Sequence, residues 1–138
     1  MSGMLGEILS SEAEITIVDM EAGLEHLSRS GGTLKNVDHL LVIIEPYAKA
    51  IETARRTVAL GRELGIANLH GVGSKVRDAE ELALVKAVCE ESRLELAGVI
   101  PYDESVRLAD REGRPPIETA PDSPMVRAVT ELAARLQN

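Results

Sequence analysis

A short acidic motif early in the chain combines residue types that suit magnesium chemistry. Ile15 to Val18 favour β-structure, Asp19 follows them directly, and Gly23 comes four positions later. At the carboxyl end of a parallel strand, an Asp can hold the water shell of Mg²⁺, which prefers oxygen ligands. A nearby glycine would let the next turn approach a phosphate closely. The alternative, which the pattern alone favours, is that Asp19 only ends a strand and caps a helix.

A magnesium-associated Asp of this kind normally works beside a phosphate-binding loop of the form G-x-x-x-x-G-K-[ST]. Two stretches come near this pattern. "SRSGGTLK" (28–35) has no lysine between its glycines and Thr33, and "GVGSKV" (71–76) has Ser74 and Lys75 in the reverse order. Neither stretch can surround phosphates with backbone N–H groups while its lysine reaches the outer oxygens. The sequence therefore contains no such loop.

Two further segments place polar residues after predicted strands. Ser74 and Lys75 precede a helix cap, and "IPYDESV" (100–106) combines Pro101, Tyr102 and Asp103. Both segments could contact a base or ribose at the edge of a sheet. Ordinary loops that lead into capped helices would have the same sequences, so each motif is weak by itself.

The chain alternates apolar runs with amphipathic helical patterns, which predicts one α/β domain over residues 1–138. Continuous Val, Ile and Leu runs predict a parallel sheet of about four strands with flanking helices. The predicted strands are 15–19, 39–46, a weaker one within 68–76, and 94–101. The predicted helices cover 4–10, 49–65, 78–92, a short unit after Asp103 that ends at Gly113, and 123–136, with a Pro-rich loop at 110–124.

Composition restricts the classes of function. The formal net charge of −8 disfavours nucleic acid and anionic membranes as partners, and 1% aromatic residues give no stacking platform for single strands. No apolar run is long enough to span a membrane, and a single Cys89 fits a reducing cytoplasm. His26, His39 and His70 lie in three separate segments, so we expect no metal site from them, and Cys89 on an apolar helix face is expected in the core.

Together the motifs resemble a known family. "IVDMEAGLEHL", "DHLLVIIEP", and "IPYD" with "ADREGRP" occur in an order similar to that of the deviant-Walker ATPases of the MinD/ParA/Mrp type. Within them the chain most resembles the CooC-type accessory ATPases of carbon monoxide dehydrogenase, which insert nickel. The resemblance covers the C-terminal half or so of that fold, a partial Rossmann-like P-loop domain.

The resemblance implies a role for each matching residue. Asp19 would be the magnesium-associated acid, binding through water, and Glu21 and Gly23 would belong to the switch that senses the γ-phosphate. Ser74 and Lys75 occupy the base-recognition position, where the family generally has Asn-Lys, and Pro101, Tyr102 and Asp103 would line the adenine side. ATP or ADP with Mg²⁺ would be the cofactor. In the family, ATP binding favours a dimer and is coupled to metal delivery.

Two departures from the family limit these implications. The phosphate loop is missing, and so is the Cys-x-Cys pair with which metal-inserting members bind their metal. We therefore expect no useful ATP hydrolysis by this chain alone, because nothing stabilises the transferred phosphate. In the family the phosphate-loop strand lies between the strands that match 15–19 and 39–45. Either these two strands pair directly here, or a second chain fills the gap.

Three functions follow as alternatives. The first is a truncated or split nucleotide-binding module, linked to metallocentre assembly, that works as a homo-oligomer or with a partner chain carrying a phosphate loop. The second is a non-catalytic interaction or oligomerisation scaffold that has lost nucleotide chemistry. The third, which is weaker, is an unrelated flavodoxin-like or receiver-like domain.

Overall fold

The computed structural model describes residues 15–20 and 37–137. Three strands form a fully parallel sheet with the order β1-β2-β3: β1 (Leu40–Ile44), β2 (Leu69–Val76) and β3 (Glu95–Pro101). Leu40 pairs with Leu69, and His70 pairs with Glu95. The α/β fold class and its parallel sheet are therefore as the sequence predicts.

Helices connect the strands and follow the last one. Their bounds are α1 (Ala48–Glu63), α2 (Ala79–Glu91), α3 (Glu104–Glu112), a short α4 (Pro116–Thr119) and α5 (Pro124–Gln137). The predicted end signals are confirmed. Gly65 and Gly113 have positive φ angles of 78° and 66°, and Asp78 caps α2 by accepting a hydrogen bond from the Glu81 N–H.

The sheet separates two apolar layers. On one face, Val42 and Ile44 pack with residues of α1 and α2, among them Val58 and Val85. On the other face, Val72 and Ala97 pack against α5 through Leu132 and Leu136. Cys89 belongs to the first layer and is 3% exposed, which confirms its predicted place in the core.

Glycine residues of β2 lie directly against side chains of α2. A Cβ atom built on Gly71 would lie 2.9 Å from the Cys89 sulfur and 3.0 Å from a methyl group of Leu94. Contacts this short do not occur between real side chains, so no larger residue fits there without movement.

The predicted first strand is wrong. Residues 15–20 have no strand or helix structure, and the exposed fractions of Ile15 and Ile17 are 60% and 89%. In the described part of the chain the sheet has three strands rather than four, and the segment 15–19 does not pair with β1. The β-propensity of residues 15–19 was not sufficient to make them a strand, because a strand also needs the edge of a sheet to pair with.

Two smaller predictions also need comment. The Pro-rich stretch 110–124 was expected to be a loop, but it contains the end of α3 and the four-residue α4, which begins at Pro116. Proline suits the first helical turn because its missing N–H would have no partner there. The helix predicted at 4–10 lies outside the described residues.

Candidate nucleotide-side site

The carboxyl ends of the three strands meet at one edge of the sheet, which we call the C-terminal edge. Three segments lie there: residues 45–47 after β1, residues 74–77 at the end of β2, and residues 101–104 at the end of β3. In open parallel sheets, ligands generally bind outside this edge. The candidate site is therefore built from these segments.

Lys75 and Glu45 form the charged centre of the site. The Lys75 Nζ lies 3.0 Å from the Glu45 Oε1, with side-chain exposures of 67% and 25%. Hydrogen bonds from the Tyr47 hydroxyl and from Lys75 hold the pKa of Glu45 below its usual range. The same contact with Glu45 raises the pKa of Lys75. Lys75 is therefore cationic, and the partly exposed carboxylate of Glu45 balances its charge.

The backbone at Lys75 has a conformation that a residue with a side chain rarely adopts. Its φ angle is +56°, and the pairing register between β2 and β3 shifts between Gly73 and Val76. Such a bulge gives one strand an extra residue and redirects the side chains there. Left-handed backbone at a non-glycine residue is a strained feature that is common at functional sites.

A second group lies at the end of β3. The Arg77 guanidinium carbon is 4.7 Å from the centre of the Tyr102 ring, which is a cation–π contact. The Tyr102 hydroxyl donates to Glu104 at 3.1 Å, and the Arg107 Nε donates to Glu104 at 2.7 Å. The bonds from Arg107 and then Tyr102 lower the pKa of Glu104. The partly exposed ring and the guanidinium plane together offer a surface on which a planar base could stack.

Asp103 connects the starts of α3 and α5 at this edge. Its Oδ1 accepts a hydrogen bond from the Ser105 N–H at 3.0 Å, and its Oδ2 accepts one from the Met125 N–H at 3.0 Å. Asp103 therefore caps α3 and at the same time fixes the first turn of α5. The bonds from the Ser105 hydroxyl and the Met125 N–H lower its pKa. Both carboxylate oxygens of Asp103 accept hydrogen bonds from within the protein. Its role is therefore to hold the loop at Tyr102 in position.

The structure brings five of the predicted residues to this edge: Ser74, Lys75, Pro101, Tyr102 and Asp103. It does not bring Asp19 there. Its neighbour Met20 packs against Ile66, and so does Leu40 at the start of β1, which places Met20 near the opposite, N-terminal edge of the sheet. Glu21 and Gly23 lie outside the described residues.

Sequence reasoning missed three residues of the site: Glu45, Tyr47 and Arg77. Glu45 offered a signal, because it is a lone acid directly after the apolar run that becomes β1, and Tyr47 stands two residues later. Arg77 gave no comparable signal, since its contact with Tyr102 depends on how β2 and β3 pair.

The histidines also differ from expectation. His39 and His70 are 31 residues apart in the chain, yet the Nδ1 of His39 lies 3.0 Å from the Nε2 of His70. The pairing of β1 with β2 thus brings together two histidines that belong to separate segments of the sequence. Within residues 15–20 and 37–137, no group of three or more His, Cys, Asp or Glu side chains is arranged to hold a metal ion.

The comparisons with known sequences identify ATP-binding relatives. The chain is 39% identical over 112 residues to an ATP-binding protein of Methanocaldococcus jannaschii, covering 81% of the chain and 43% of that protein. It is 33% identical over 110 residues to the carbon monoxide dehydrogenase accessory protein CooC of Rhodospirillum rubrum, covering 80% of the chain and 40% of CooC. The chain thus spans less than half the length of these relatives. No protein-family model matches it.

Solved structures show the same fold. The cell division ATPase MinD of Pyrococcus furiosus superposes with a TM-score of 0.77 at 20% identity, covering 99% of the chain and 58% of that structure. The MinC:MinD complex of Aquifex aeolicus gives a TM-score of 0.64 at 18% identity, covering 76% of the chain and 44% of that structure. In the described part of the chain, no helix is long and apolar enough to cross a membrane.

Proposed function

Since the chain is a relative of the MinD/ParA-type P-loop ATPases and of CooC among them, we propose that its C-terminal edge forms the base side of an ATP site. The observation that carries this proposal is the convergence of Ser74, Lys75 and Tyr102 at that edge in a homologue of ATP-binding proteins. Ser74 and Lys75 would hydrogen-bond the edge of the adenine, and the Tyr102 loop would cover one of its faces.

The proposed contacts with the adenine base depend on the hydrogen-bonding groups of Ser74 and Lys75 at the bulge in β2. Lys75 supplies only N–H donors, and the Ser74 hydroxyl can donate and accept one bond each. Binding requires the Lys75 ammonium to exchange its contact with Glu45 for an acceptor on the ligand. Because Lys75 is 67% exposed, this exchange needs no opening of the core.

The phosphates would be bound by residues outside this sequence. No G-x-x-x-x-G-K-[ST] loop is present among the 138 residues, so we propose that another polypeptide segment, supplied by a partner or a longer chain, provides it. Asp19 would associate with Mg²⁺, and Glu21 and Gly23 would act as the switch, only in such an assembly. The chain alone is then expected to bind ATP or ADP without hydrolysing it.

The relationship to CooC suggests the biological setting of this module. CooC is named as an accessory protein of carbon monoxide dehydrogenase. We propose that this chain likewise assists an enzyme, and that it does so in the assembly of the enzyme's metallocentre. Its ATP-dependent contribution would be made in complex with the polypeptide that supplies the phosphate loop.

Calorimetric titration of the chain with Mg-ATP, Mg-ADP and adenosine tests the proposed base side. We expect a dissociation constant below about 100 μM, or roughly −5.5 kcal/mol, with adenosine close to ATP. Inorganic triphosphate, which has no base, should bind much more weakly. Lys75→Ala and Tyr102→Ala should each weaken binding by about tenfold or more, which corresponds to about 1.4 kcal/mol.

The matched control is Lys86→Ala, which removes an exposed lysine from α2, away from the C-terminal edge. It should leave the affinity unchanged. Absence of binding by ATP, ADP and adenosine, or equal losses in Lys86→Ala and Lys75→Ala, would overturn the proposal.

A second candidate function is a self-associating scaffold without nucleotide chemistry. One observation favours it: Ile43 on β1 is 53% exposed, and in the described part of the chain no strand pairs with the outer edge of β1. A second copy of the chain could cover this apolar strand. The two candidates differ in whether adenosine binds and in whether the chain is an oligomer in solution.

A further inference from the structure

The histidine pair lies at the N-terminal edge of the sheet, opposite the candidate nucleotide site. His39 immediately precedes β1, and His70 is the second residue of β2. Their ring centres are 5.1 Å apart, and the ring planes are tilted by 44°. The pairing of Leu40 with Leu69 fixes this arrangement, because it brings the starts of the two strands side by side.

Among the described residues, one ring nitrogen of His70 has no hydrogen-bond partner. The Nδ1 of His70 is buried without a hydrogen bond, and the side chain is 15% exposed. The Glu95 Oε2 lies 3.9 Å from this nitrogen. A small rotation of the exposed Glu95 would let its carboxylate accept a hydrogen bond from the Nδ1–H of His70, and the Nε2 would then present its lone pair toward His39. This arrangement, in which a carboxylate orients a histidine, is typical of metal-binding imidazoles.

We propose that the Nδ1 of His39 and the Nε2 of His70 bind one divalent transition-metal ion. The two nitrogens are 3.0 Å apart in a direct hydrogen bond, which the ion would replace. For bonds of about 2.0–2.1 Å, small side-chain movements would bring both nitrogens to one ion. Imidazole ligands suit Cu²⁺, Ni²⁺ and Zn²⁺, and among these ions Cu²⁺ generally binds most tightly.

The surroundings allow such an ion to complete its coordination. His39 is exposed, so water can occupy the positions that the two imidazoles leave open. Glu95 contributes a nearby negative charge and is 68% exposed. With two protein ligands the site is open, and it binds more weakly than a site closed by four ligands.

Titration of the full chain with Cu²⁺ and with Ni²⁺, in a buffer that does not coordinate metals, tests the site. We expect one equivalent to bind, with Cu²⁺ binding more tightly than Ni²⁺. His39→Ala and His70→Asn should each weaken that binding at least tenfold. Electron paramagnetic resonance of the Cu²⁺ complex should show two coordinating ring nitrogens in the unmodified chain and one in His39→Ala.

Asp122→Ala is the matched control, because it removes an exposed carboxylate near the start of α5, at the opposite edge of the sheet, and should leave affinity and spectrum unchanged. Circular dichroism checks that each variant is folded, and His39→Gln replaces His39→Ala if the latter is not. Failure of Cu²⁺ to bind, or binding and spectra that are unchanged in both His39→Gln and His39→Ala, would overturn the proposal.

Discussion

At Lys75 the backbone adopts a φ angle of +56°, which costs on the order of 1–2 kcal/mol for a residue with a Cβ atom. The bulge between β2 and β3 and the ion pair with Glu45 hold the residue in place. A glycine would remove the strain, but it would also remove the ammonium group. The strain is therefore consistent with a role for this side chain in binding rather than in folding.

Among the residues of the C-terminal edge, Asp103 should cause the largest loss of stability when it is replaced. Replacing it with Ala removes the acceptors for the Ser105 and Met125 N–H groups, which lie at the starts of two helices. One lost cap typically costs about 1 kcal/mol, so Asp103→Ala should lower the free energy of unfolding by about 2 kcal/mol. Urea denaturation measures this change.

The pH dependence of this loss of stability provides a control for the Asp103→Ala prediction. The bonds to Asp103 lower its pKa from an ordinary value of about 3.9, so the folded state binds fewer protons than the unfolded state near that pH. The stabilisation is then present above about pH 4 and is lost as the pH falls through the folded-state pKa. The difference between the unmodified chain and Asp103→Ala should shrink below pH 4. Asp110→Ala, which removes an exposed carboxylate from α3, should change stability by less than about 0.5 kcal/mol.

At the scale of elements, apolar runs predicted the strands that are covered by helices. The bounds of β1, β2 and β3 were predicted to within one or two residues. Their apolar runs are clear because each strand packs against helices on at least one face. The run at 15–19 has the same composition but lies outside the sheet. A strand is stabilised by its neighbours, and a single sequence does not show which edge a run will meet.

The candidate site was predictable only where its residues follow strands directly. Ser74, Lys75 and the Pro101–Asp103 loop stand at strand ends, so the parallel sheet places them together. The bulge that turns Lys75 toward Glu45, and the register that brings His39 to His70, are properties of pairing. No local pattern in the sequence encodes them.

The close contact between β2 and α2 leads to a prediction at this scale. Gly71→Ala would place a methyl group 2.9 Å from the buried Cys89 sulfur and 3.0 Å from Leu94. The resulting overpacking should cost about 1–3 kcal/mol of unfolding free energy, which chemical denaturation measures.

Two further variants separate overpacking from a general effect of alanine in a strand. At Gly98 on β3 the nearest atom to an added Cβ would be 3.4 Å away, so Gly98→Ala should be nearly neutral. Adding Cys89→Ala to Gly71→Ala should recover part of the loss, because it removes the nearer of the two clashing groups. A Gly98→Ala variant as unstable as Gly71→Ala would contradict this explanation.

At the scale of the whole molecule, the described helices cover the two faces of the sheet unequally. Helices α1 and α2 cover one face from β1 to β3, whereas α5 packs mainly on β2 and β3. Ile43 on β1 is left 53% exposed. An exposed apolar side chain beside a strand edge that no other described strand pairs with favours association with another polypeptide.

If two copies of the chain associate through β1, Ile43→Lys should convert the oligomer to a monomer, because a charged side chain opposes burial at the contact. Sedimentation equilibrium measures the mass in solution. Leu84→Lys is the matched control, since Leu84 is 45% exposed on α2, and it should leave the mass unchanged. A chain that is monomeric before any substitution would exclude the self-associating scaffold.

The order of the strands in the sheet has a consequence for how the chain folds. Each strand pairs with the next one along the sequence, so every crossover closes over a single helix and contacts form between segments that are near in the chain. Topologies of this kind fold faster than those that rely on distant pairings. The β1-α1-β2 and β2-α2-β3 crossovers therefore close shorter loops than a sheet with a non-sequential strand order would require.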